Sequence, residues 1–480
     1  MAAAVSWQQV QAKFKQIWGY DSFRPPQGDV IRSLLEQRDA LIVMPTGGGK
    51  SVCFQLPALL QSGATLIVSP LVALIEDQVQ ELRQRSLPAA CLHSGLASYQ
   101  KRQTLQLLRQ NRLRLLYLSP ETLLSKPVWQ VLAEPTVQLN GLVLDEAHCL
   151  VQWGDTFRPT YRRLGAVRPA LLAARPPGTK LPIAAFTATA NPAAQATLGQ
   201  VLQLQSPKLV RLSPYRSNIN PAVQIVWTPR GRRRAMVKFI DAHPQQAGLV
   251  YVRTRRTAEE IAHALKRQGY SVQAYHGGLA SPRRRRIEAD WLGGRCRFVI
   301  CTSAFGMGIN HPQVRWVCHY HAPSTLSEYV QEIGRGGRDG EPANALTLVS
   351  EPTGWLDPED RQRWQFFSES SRQLRQEAGR LIKRLPQRGH IDQVVGRSNP
   401  QAATALALLH AQGRLRWETP FEYRLVQSDG RSNRDLGDGV TEMRRYLFGR
   451  RCRWQQLMES FGFGDKAQGM RCGHCDRCTP

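Results

Sequence analysis

The sequence predicts an α/β protein with two doubly wound domains, each built on a parallel sheet, followed by a smaller C-terminal region of different character. Between about residues 38 and 345, short apolar runs alternate with longer segments of helical pattern. Short, continuously apolar runs are typical of strands that are buried on both faces of a parallel sheet. The rhythm starts again after residues 213–227, which indicates a second α/β domain.

The clearest strand signals divide into two groups. Candidate strands lie at 39–44, 64–70, 113–120 and 141–148 in the first domain, and at 247–254, 272–278, 298–303 and 314–320 in the second. We place the boundary between the domains near 205–215. The expected segments are residues 1–208 and 209–350 as the two α/β domains, 351–440 as a helical region with a winged-helix-like insertion, and 441–480 as a zinc-binding unit.

The charge balance points to a polyanionic partner. The 480-residue chain has 64 Lys and Arg residues against 37 Asp and Glu residues, which gives a formal net charge of +27. No apolar run approaches the roughly 18 residues that a membrane-spanning helix needs, and the first residues lack the pattern of a signal peptide. We therefore expect a soluble cytoplasmic protein, nucleoid-associated if prokaryotic, that binds nucleic acid rather than a membrane.

A glycine-rich loop follows the first candidate strand. Residues 41–56 read as strand, glycine turn, lysine, hydroxyl and helix. Glycines let backbone N–H groups approach phosphates at a helix N-terminus, while Lys50 is expected to reach the β- and γ-phosphates of ATP and Ser51 to ligate Mg²⁺. Met44 replaces the first glycine of the general pattern, so the match is to Gly-Gly-Lys-Ser after a strand. The expected nucleotide-binding residues of this loop are Thr46, Gly47, Gly48, Gly49, Lys50 and Ser51.

Two further groups have the chemistry of phosphoryl transfer. Asp145 and Glu146 end the strand at 141–148, where ligands bind in open α/β sheets. Asp145 suits a Mg²⁺ ligand, and Glu146 suits polarisation of the attacking water. Arg335 and Arg338 lie three residues apart in the second domain, and such arginines stabilise transition-state charge when a closing domain delivers them to the γ-phosphate.

Residues 374–426 read as three helices followed by a two-stranded hairpin, the order of a winged helix. The helical segments are 374–385, 390–397 and 399–413, and the hairpin is 414–426. A winged helix is a common DNA-docking module, and such an insertion would take over duplex contact. A small helical spacer without a nucleic-acid role fits the same pattern, and nothing in the segment identifies base-reading residues.

The ten cysteines fall into two groups. Cys452, Cys472, Cys475 and Cys478 have a spacing typical of a closed tetrahedral Zn²⁺ site, and His474 is expected to be solvated rather than a ligand. The remaining six are expected to be buried thiols. Five arginines within 444–453 indicate a phosphate-binding face. The arginine runs 230–234 and 283–286 are interpreted as solvated faces, with specific DNA contact as the alternative.

Seven motifs in order give the sequence a specific resemblance. FRPPQ, MPTGGGKS, DEAH, FTATA, AYHGGL, FGMGIN and QEIGRGGRDG resemble the motifs of the RecQ family of superfamily 2 DNA helicases over roughly residues 6–350, and the C-terminal cysteines extend the resemblance. The family implies two RecA-like P-loop NTPase domains, use of ATP and Mg²⁺, and 3′-to-5′ translocation on single-stranded DNA coupled to unwinding of forked DNA in repair and recombination.

The resemblance also assigns residues. Tyr20, Arg24 and Gln27 would hold the adenine base, Gln331 would join the ATP site from the second domain, and residues 302–310 would sense nucleotide and strand together. The family has an aromatic-rich loop directly after DEAH, and Trp153, Phe157 and Arg158 match its positions. Aromatic faces stack on unpaired bases irrespective of sequence, so this loop is expected to report bound DNA to Glu146.

Two departures from the family pattern bear on these expectations. A His-Asp pair follows the glycine of the loop in the family, whereas Asp155 and Thr156 stand here, which should weaken contact with phosphates. The cysteine cluster also ends two residues before the end of the sequence, so we expect a short form without the C-terminal domains of many relatives.

Two other functions fit part of the pattern. One is an RNA helicase or translocase, because DEAH occurs there too. The other is a DNA-binding protein in which the P-loop domain is only regulatory and no unwinding occurs. Comparison of DNA with RNA as activator separates the first, and the effect of Glu146→Gln on hydrolysis and binding separates the second.

Overall fold

The structure is a computed structural model that describes residues 5–45, 47–151, 158–305, 311–395, 401–427 and 438–479. Within those ranges, no helix has both the length and the apolar character needed to cross a bilayer. The described residues of 1–44, 48–212 and 371–435 form one compact unit, and those of 45–47, 213–370 and 436–480 form another. Each unit is described separately below.

Residues 5–212 alternate helices and strands along the chain. The helices are α1 (Trp7–Trp18), α2 (Gln27–Leu35), α3 (Lys50–Leu60), α4 (Val72–Gln84), α5 (Ser98–Arg109), α6 (Pro120–Leu123), α7 (Lys126–Ala133), α8 (Val167–Leu172) and α9 (Pro192–Val201). The strands are β1 (Ala40–Val43), β2 (Ala64–Val68), β3 (Ala89–Leu92), β4 (Leu115–Leu118), β5 (Leu139–Leu144), β6 (Ile183–Thr187) and β7 (Lys208–Arg211). Two 3-10 helices, Ala147–Leu150 and Pro159–Ala166, follow β5.

The described strands of this segment form one parallel sheet in the order β3-β4-β2-β5-β6-β1-β7. Both faces of the sheet are covered by apolar clusters, as the continuous apolar runs predicted. Strands β5, β6 and β1 are neighbours, so their carboxyl ends lie side by side. This order explains how motifs far apart in sequence come to one edge of the sheet.

The second segment repeats the pattern. Its helices are α10 (Pro229–Asp241), α11 (Arg255–Arg267), α12 (Ser281–Leu292), α13 (Leu326–Ile333) and α14 (Glu359–Ile382). Its strands are β8 (Ile219–Val226), β9 (Ala247–Tyr251), β10 (Val272–Tyr275), β11 (Phe298–Cys301), β12 (Val314–His319) and β13 (Ala343–Ser350). They form a parallel sheet in the order β10-β11-β9-β12-β13-β8.

The eight apolar runs predicted as strands are all strands, and the doubly wound fold class is confirmed. Sequence reasoning missed β3, β6, β7, β8 and β13, of which β8 lies within the segment 213–227 that was taken to precede the second domain. The burial of β8 is mixed rather than continuous, and among the described strands β8 lies at one edge of its sheet.

The C-terminal elements are α15 (Ala402–Ala411), α16 (Asp438–Phe448), α17 (Arg453–Ser460) and α18 (Gly464–Ala467), with strands β14 (Arg388–His390), β15 (Leu415–Trp417) and β16 (Glu422–Leu425) and the 3-10 helix Ile391–Gln393. The three strands are antiparallel in the order β14-β16-β15. This strand order is the one found in winged helices. We call the described residues of 371–427 the winged-helix unit.

The prediction of a second helix in this unit, at 390–397, is wrong. Residues 388–390 are a strand, and only a single 3-10 turn follows in the described residues. The reason is pairing with β16, where Gly389 faces Tyr423. A Cβ atom at Gly389 would lie 2.6 Å from the Tyr423 hydroxyl, so the glycine permits a close approach that a helical pattern in the sequence does not show.

Candidate active site and zinc centre

The glycine-rich loop joins β1 to α3 in a conformation that requires glycine. Gly47 and Gly49 have φ angles of +83° and +74°, a region that L side chains rarely adopt. A Cβ atom at Gly49 would lie 2.2 Å from the amide nitrogen of Gln27. The loop is therefore held close to α2, with its backbone at the N-terminus of α3, as phosphate binding requires.

Lys50 and Ser51 begin α3, as predicted. The Nζ atom of Lys50 donates to the carbonyl of Met44 over 3.0 Å, so the ammonium group lies against the loop. Ser51 is partly exposed on the first turn of the helix. Thr46 lies outside the described residues, so its predicted role has no structural description.

The residues assigned to adenine differ in exposure. Tyr20 is 56% exposed and Arg24 is also exposed, whereas Gln27 is buried. The Gln27 side-chain oxygen accepts from the Arg24 N–H over 2.9 Å, and its amide nitrogen donates to the carbonyls of Gly48 and Gly49 over 3.3 Å each. Gln27 thus bridges the proposed base-binding segment and the phosphate loop.

Asp145 and Glu146 lie at the carboxyl end of β5. The Glu146 N–H donates to the Asp145 carboxylate over 3.0 Å, and Glu146 has a φ angle of +50°, a strained conformation that is typical of functional sites. Burial raises the pKa of Asp145 to about 7, and the neighbouring Glu146 charge adds to this. A carboxyl group that is costly to ionise alone gains from a nearby cation, which fits a divalent-metal ligand.

Sequence reasoning missed the partner of Glu146. The His148 Nδ1 atom lies 3.1 Å from a Glu146 carboxylate oxygen and 3.3 Å from the Thr187 hydroxyl. Burial opposes the charged imidazole, but contacts with Cys149 and Glu146 outweigh it and raise the pKa of His148 to about 10. Thr187 belongs to the FTATA motif at the end of β6, so His148 links two motifs. Both were quoted for the resemblance, but their contact depends on strand order.

Gln331 lies on α13, and Arg335 and Arg338 lie in the turn after it. The two arginines line one small pocket with Trp291, Phe305 and His311, so the structure brings them together as their spacing predicted. Arg335 is only 6% exposed. The turn itself is fixed at Gly337, whose N–H donates to Val314 over 2.8 Å and whose carbonyl accepts from Asn218 over 2.8 Å.

A buried ion cluster fixes the helix that carries Gln331. Arg253, at the end of β9, donates to Glu328 over 2.6 Å and to the two carboxylate oxygens of Glu332 over 3.2 and 2.9 Å. Glu332 also lies 3.0 Å from His319 Nε2. Although burial opposes ionisation of the carboxyl group, Arg253 and His319 lower the pKa of Glu332. Sequence reasoning missed Arg253, because its partners lie 75 and 79 residues away.

The predicted DNA loop is only partly described. Trp153 and Phe157 lie outside the described residues, so the roles predicted for them stay predictions. Arg158 forms an ion pair with Glu121 over 3.4 Å, and its side chain is 35% exposed. Such an exposed pair is weak, and the DNA contact predicted for Arg158 stays a prediction.

The 3-10 helix Pro159–Ala166, here called the docking segment, directly follows this loop and contacts the winged-helix unit. Arg163 donates to the Pro420 carbonyl over 2.6 Å, and its guanidinium lies 5.7 Å from the Trp417 ring and 5.6 Å from the Phe421 ring. Phe421 also packs edge-on against Trp129 at 5.1 Å. The wing between β15 and β16 therefore contacts Trp129 and the docking segment within the same compact unit.

The third helix of the winged-helix unit, α15, packs against the same docking segment. In a DNA-binding winged helix the corresponding helix enters the major groove. Here the helix has the sequence AATALALLHA and buries most of its residues. It offers no lysine or arginine to a phosphate. Its burial argues against duplex contact through this helix.

Four cysteine sulfur atoms converge at the C-terminal end of the described chain. The Sγ atoms of Cys452, Cys472, Cys475 and Cys478 all lie within 4.8 Å of one another. The Cys472–Cys478 and Cys452–Cys475 separations are 3.9 and 4.0 Å, close to the roughly 3.8 Å between ligands around a tetrahedral zinc with Zn–S bonds of about 2.3 Å. The donor set and its spacing therefore fit zinc.

The neighbouring residues support this cluster. Backbone N–H groups of Arg453 and Cys472 donate to the sulfur atoms of Cys475 and Cys452 over 3.5 and 3.4 Å. The Nε2 atom of His474 lies 3.2 Å from the Tyr215 hydroxyl, and His474 does not belong to the sulfur cluster. The sulfur cluster contains the four cysteines named from their spacing, and zinc binding by them stays a prediction.

Two arginines taken as surface residues are buried. Arg453, predicted to lie on a phosphate-binding face, is fully buried and donates to both carboxylate oxygens of Asp476 over 2.8 Å. Arg232, predicted to be solvated, is also fully buried and donates to Asp357 and Asp360 over 2.9 and 2.8 Å. Each is a structural cation with buried acceptors, so neither prediction holds.

Comparisons with protein families match most of the region that carries these motifs. The DEAD/DEAH box helicase family matches residues 24–197, and the helicase conserved C-terminal domain matches residues 231–340. Among solved structures, the helicase MrfA bound to DNA superposes with a TM-score of 0.60 at 18% identity, covering 89% of this chain and 64% of that chain. The DEAD-box helicase Mss116 bound to ssRNA gives 0.59 at 18% identity, covering 73% and 74%. These likenesses concern the fold alone.

Curated relatives are more similar in sequence. The ATP-dependent DNA helicase RecQ of Synechocystis sp. (strain ATCC 27184 / PCC 6803 / Kazusa) is 50% identical over 98% of this chain and 98% of its own length. RecQ of Haemophilus influenzae is 38% identical over 71% of this chain, which spans 54% of that relative. The probable ATP-dependent DNA helicase RecS of Bacillus subtilis is 38% identical over 71% of this chain and 66% of its own length.

Proposed function

This chain belongs to the RecQ family of ATP-dependent DNA helicases, and we propose that it uses ATP hydrolysis to translocate 3′-to-5′ along single-stranded DNA and to unwind forked duplexes during repair or recombination. The observation that carries the enzymatic part is that the phosphate loop follows β1 while Asp145 and Glu146 follow β5, at the same edge of a parallel sheet in which β6 lies between these two strands. This juxtaposition supplies the groups that phosphoryl transfer needs.

ATP is proposed to bind with its base against Tyr20, Arg24 and Gln27 and its phosphates on the glycine-rich loop. The side chain of Lys50, which now donates to the Met44 carbonyl, would turn to the β- and γ-phosphates. Ser51 and Asp145 would hold Mg²⁺, which neutralises charge on the phosphates. Glu146 would orient and polarise the attacking water, and its contact with His148 keeps the carboxylate in place.

The link from Glu146 through His148 to Thr187 supports a second proposal. Thr187 accepts from the Thr189 N–H over 3.3 Å and lies at the end of β6, so a shift of the FTATA segment would move the imidazole and hence Glu146. We propose that this link connects the state of the bound strand to water activation. In the second unit, Gln331, Arg335 and Arg338 would stabilise charge on the transferred phosphoryl group.

The four cysteines are proposed to hold a structural Zn²⁺ ion. A closed thiolate site supplies folding free energy rather than catalysis. The residues next to the ligands tie this unit to β8, because Trp454 donates to the Ile219 carbonyl over 3.1 Å and Asp476 accepts from the Val223 N–H over 3.3 Å. The zinc would therefore stabilise the edge strand of the second sheet.

Steady-state ATP hydrolysis tests the enzymatic proposal. The parent chain is assayed at one fixed salt concentration without nucleic acid, with single-stranded DNA and with single-stranded RNA. Strong stimulation by DNA alone supports the proposal, whereas equal stimulation by RNA supports the RNA helicase alternative. Glu146→Gln should abolish hydrolysis while DNA binding persists. A parent chain that binds DNA without hydrolysing ATP would instead be the regulatory DNA-binding protein.

Translocation direction and unwinding need a separate substrate set. Duplexes with a single-stranded tail on either the 3′ or the 5′ side are compared at saturating ATP. The proposal predicts that only a 3′ tail supports strand separation. Unwinding from a 5′ tail alone would overturn the direction without affecting the assignment of the ATP site.

A further inference from the structure

Two exposed tryptophans lie at one corner of the second unit. Trp227 is 62% exposed and Trp355 is 85% exposed, and Leu356 beside it is 57% exposed. Large aromatic side chains normally contribute strongly to a core or to an interface. Because Trp227 and Trp355 both face solvent at this corner, they indicate a binding surface rather than a packing role.

The backbone brings these residues to the same corner. Val226 ends β8 directly opposite Ser350 at the end of β13, and the Glu351 N–H donates to the Val226 carbonyl over 3.0 Å. The segments that follow β8 and β13 therefore start next to each other. Trp227 follows β8, and the loop that carries Trp355 follows β13.

A buried arginine joins α10 to this loop. Arg232, on the first turns of α10, donates to the Ser350 hydroxyl over 2.7 Å and to Asp357 and Asp360 over 2.9 and 2.8 Å. All these groups are fully or almost fully buried. The exposed arginines next to it on α10, Arg230 and Arg233, are consequently held beside the loop.

The loop itself is ordered by its own hydrogen bonds. The Glu351 carboxylate accepts from the N–H groups of Thr353, Trp355 and Leu356 over 2.6, 2.5 and 3.2 Å. Arg361, exposed on α14, donates to the Thr353 carbonyl over 3.3 Å. Trp355 is thus presented to solvent by a fixed loop with an arginine beside it.

The exposed charges of this corner are positive. Its carboxylates are used internally: Glu351 holds the loop, Asp357 and Asp360 hold Arg232, and Glu359 accepts from His321 over 2.7 Å. Arg230, Arg233 and Arg361 remain on the surface. The combination of exposed indole faces and arginines complements a polyanion that also offers flat, unpaired aromatic rings.

We propose that Trp227, Arg230, Arg233, Trp355 and Arg361, here called the Trp227–Trp355 patch, form a second binding site for single-stranded DNA. The patch uses residues other than those of the predicted DNA loop. The indoles stack on unpaired bases, and the arginines contact phosphates. Duplex DNA fits less well, because its bases are already stacked on one another. A helicase separates a duplex into two single strands, and the patch offers a second contact for one of them.

Equilibrium binding tests the patch without using ATP hydrolysis. The full chain and its Trp227→Ala, Trp355→Ala and Trp355→Phe variants are titrated into fluorescent oligo-dT of increasing length. Each alanine variant should bind long oligomers about fivefold or more weakly, since one stacked base contributes about 1–3 kcal/mol, and Trp355→Phe should retain affinity. Leu292→Ala, which truncates an exposed apolar side chain elsewhere in this unit, is the matched control. DNA-stimulated ATP hydrolysis at saturating DNA should stay unchanged in the alanine variants.

Salt dependence tests the arginines. Arg361→Gln should reduce the slope of log affinity against log salt by about 1, whereas Arg256→Gln, which removes a charge paired with Glu260, should not. Photo-crosslinking of oligomers that contain 5-iodouracil should label Trp355 directly. Unchanged affinity of the double variant Trp227→Ala/Trp355→Ala, or an unchanged salt slope of Arg361→Gln, would overturn the proposal. So would displacement of the oligomer by poly-glutamate to the same extent in the parent chain and in the double variant. A parent chain whose hydrolysis ignores DNA would refute the proposed function instead.

Discussion

Replacing Arg253 by methionine should have two effects, a loss of folding stability and a displacement of α13, the helix that carries Gln331. Further variants should distinguish these two effects. The guanidinium contacts Glu328 and Glu332 at 2.6–3.2 Å in a buried site. Removal of one partner of a buried ion pair typically costs about 3–5 kcal/mol, because the remaining charges lose their compensation. We therefore expect Arg253→Met to lower the free energy of unfolding by about this amount, measured by urea denaturation.

The effect on catalysis should be separable from this loss. Arg253 holds α13 at two carboxylates, and the turn with Arg335 follows α13 directly. A misplacement of about 1 Å at a catalytic group costs up to about 100-fold in rate. In the triple variant Arg253→Met/Glu328→Gln/Glu332→Gln the orphan charges are absent, so stability should recover in part while kcat stays low and the KM for ATP changes little.

Arg253→Lys is the control, because lysine keeps the charge but not the two-pronged geometry. It should retain most of the stability and lose part of kcat. If the triple variant recovers both stability and kcat, then Arg253 compensates charge and does not position α13. If Arg253→Met changes neither quantity, the ion cluster neither stabilises the fold nor positions α13.

Three further predictions concern other parts of the chain. Arg163→Ala should loosen the winged-helix unit by about 2 kcal/mol, through loss of the Pro420 hydrogen bond and the ring contacts. Limited proteolysis within 371–427 should then become faster, and unchanged cleavage would contradict the contact. Cys475→Ser should lower bound zinc measured by atomic absorption, whereas Cys91→Ala should not. Burial and the nearby Arg162 lower the pKa of His410 to about 4. Because the unfolded histidine protonates near 6.5, the stabilisation should be complete above about pH 6.5 and decline toward pH 4 by up to about 3 kcal/mol, and His410→Gln should abolish that slope in thermal unfolding.

The phosphate loop and the strand ends could be predicted because their signals are local. Gly47 and Gly49 adopt positive φ angles, and the apolar run of β1 directly precedes them. The placement of Asp145 at the end of β5 follows from the same logic. The contact between His148 and Thr187 could not be predicted, because it requires β5 and β6 to be neighbours. Neither the DEAH motif nor the FTATA motif indicates the order of the strands.

The burial of individual arginines also could not be predicted from the sequence. An arginine in a basic run reads as solvated because burying a charge is costly unless it is paired. Arg232 and Arg453 are paired, but their acceptors lie far along the chain: Asp357 is 125 residues from Arg232, and Asp476 is 23 residues from Arg453. The adjacent arginines at 230 and 233 are exposed. Only the folded chain distinguishes a structural cation from a ligand-binding one.

The winged-helix unit shows why a strand order does not by itself establish how a unit is used. The hairpin and the third helix were expected from local patterns, and the strand order is that of a winged helix. Yet α15 lies against the docking segment, so its groove-reading face is not offered to a duplex. A module held against the segment that follows the predicted DNA loop is better placed to fix that segment than to read a groove. Deletion of the winged-helix unit should therefore alter the DNA dependence of ATP hydrolysis more than it alters duplex affinity.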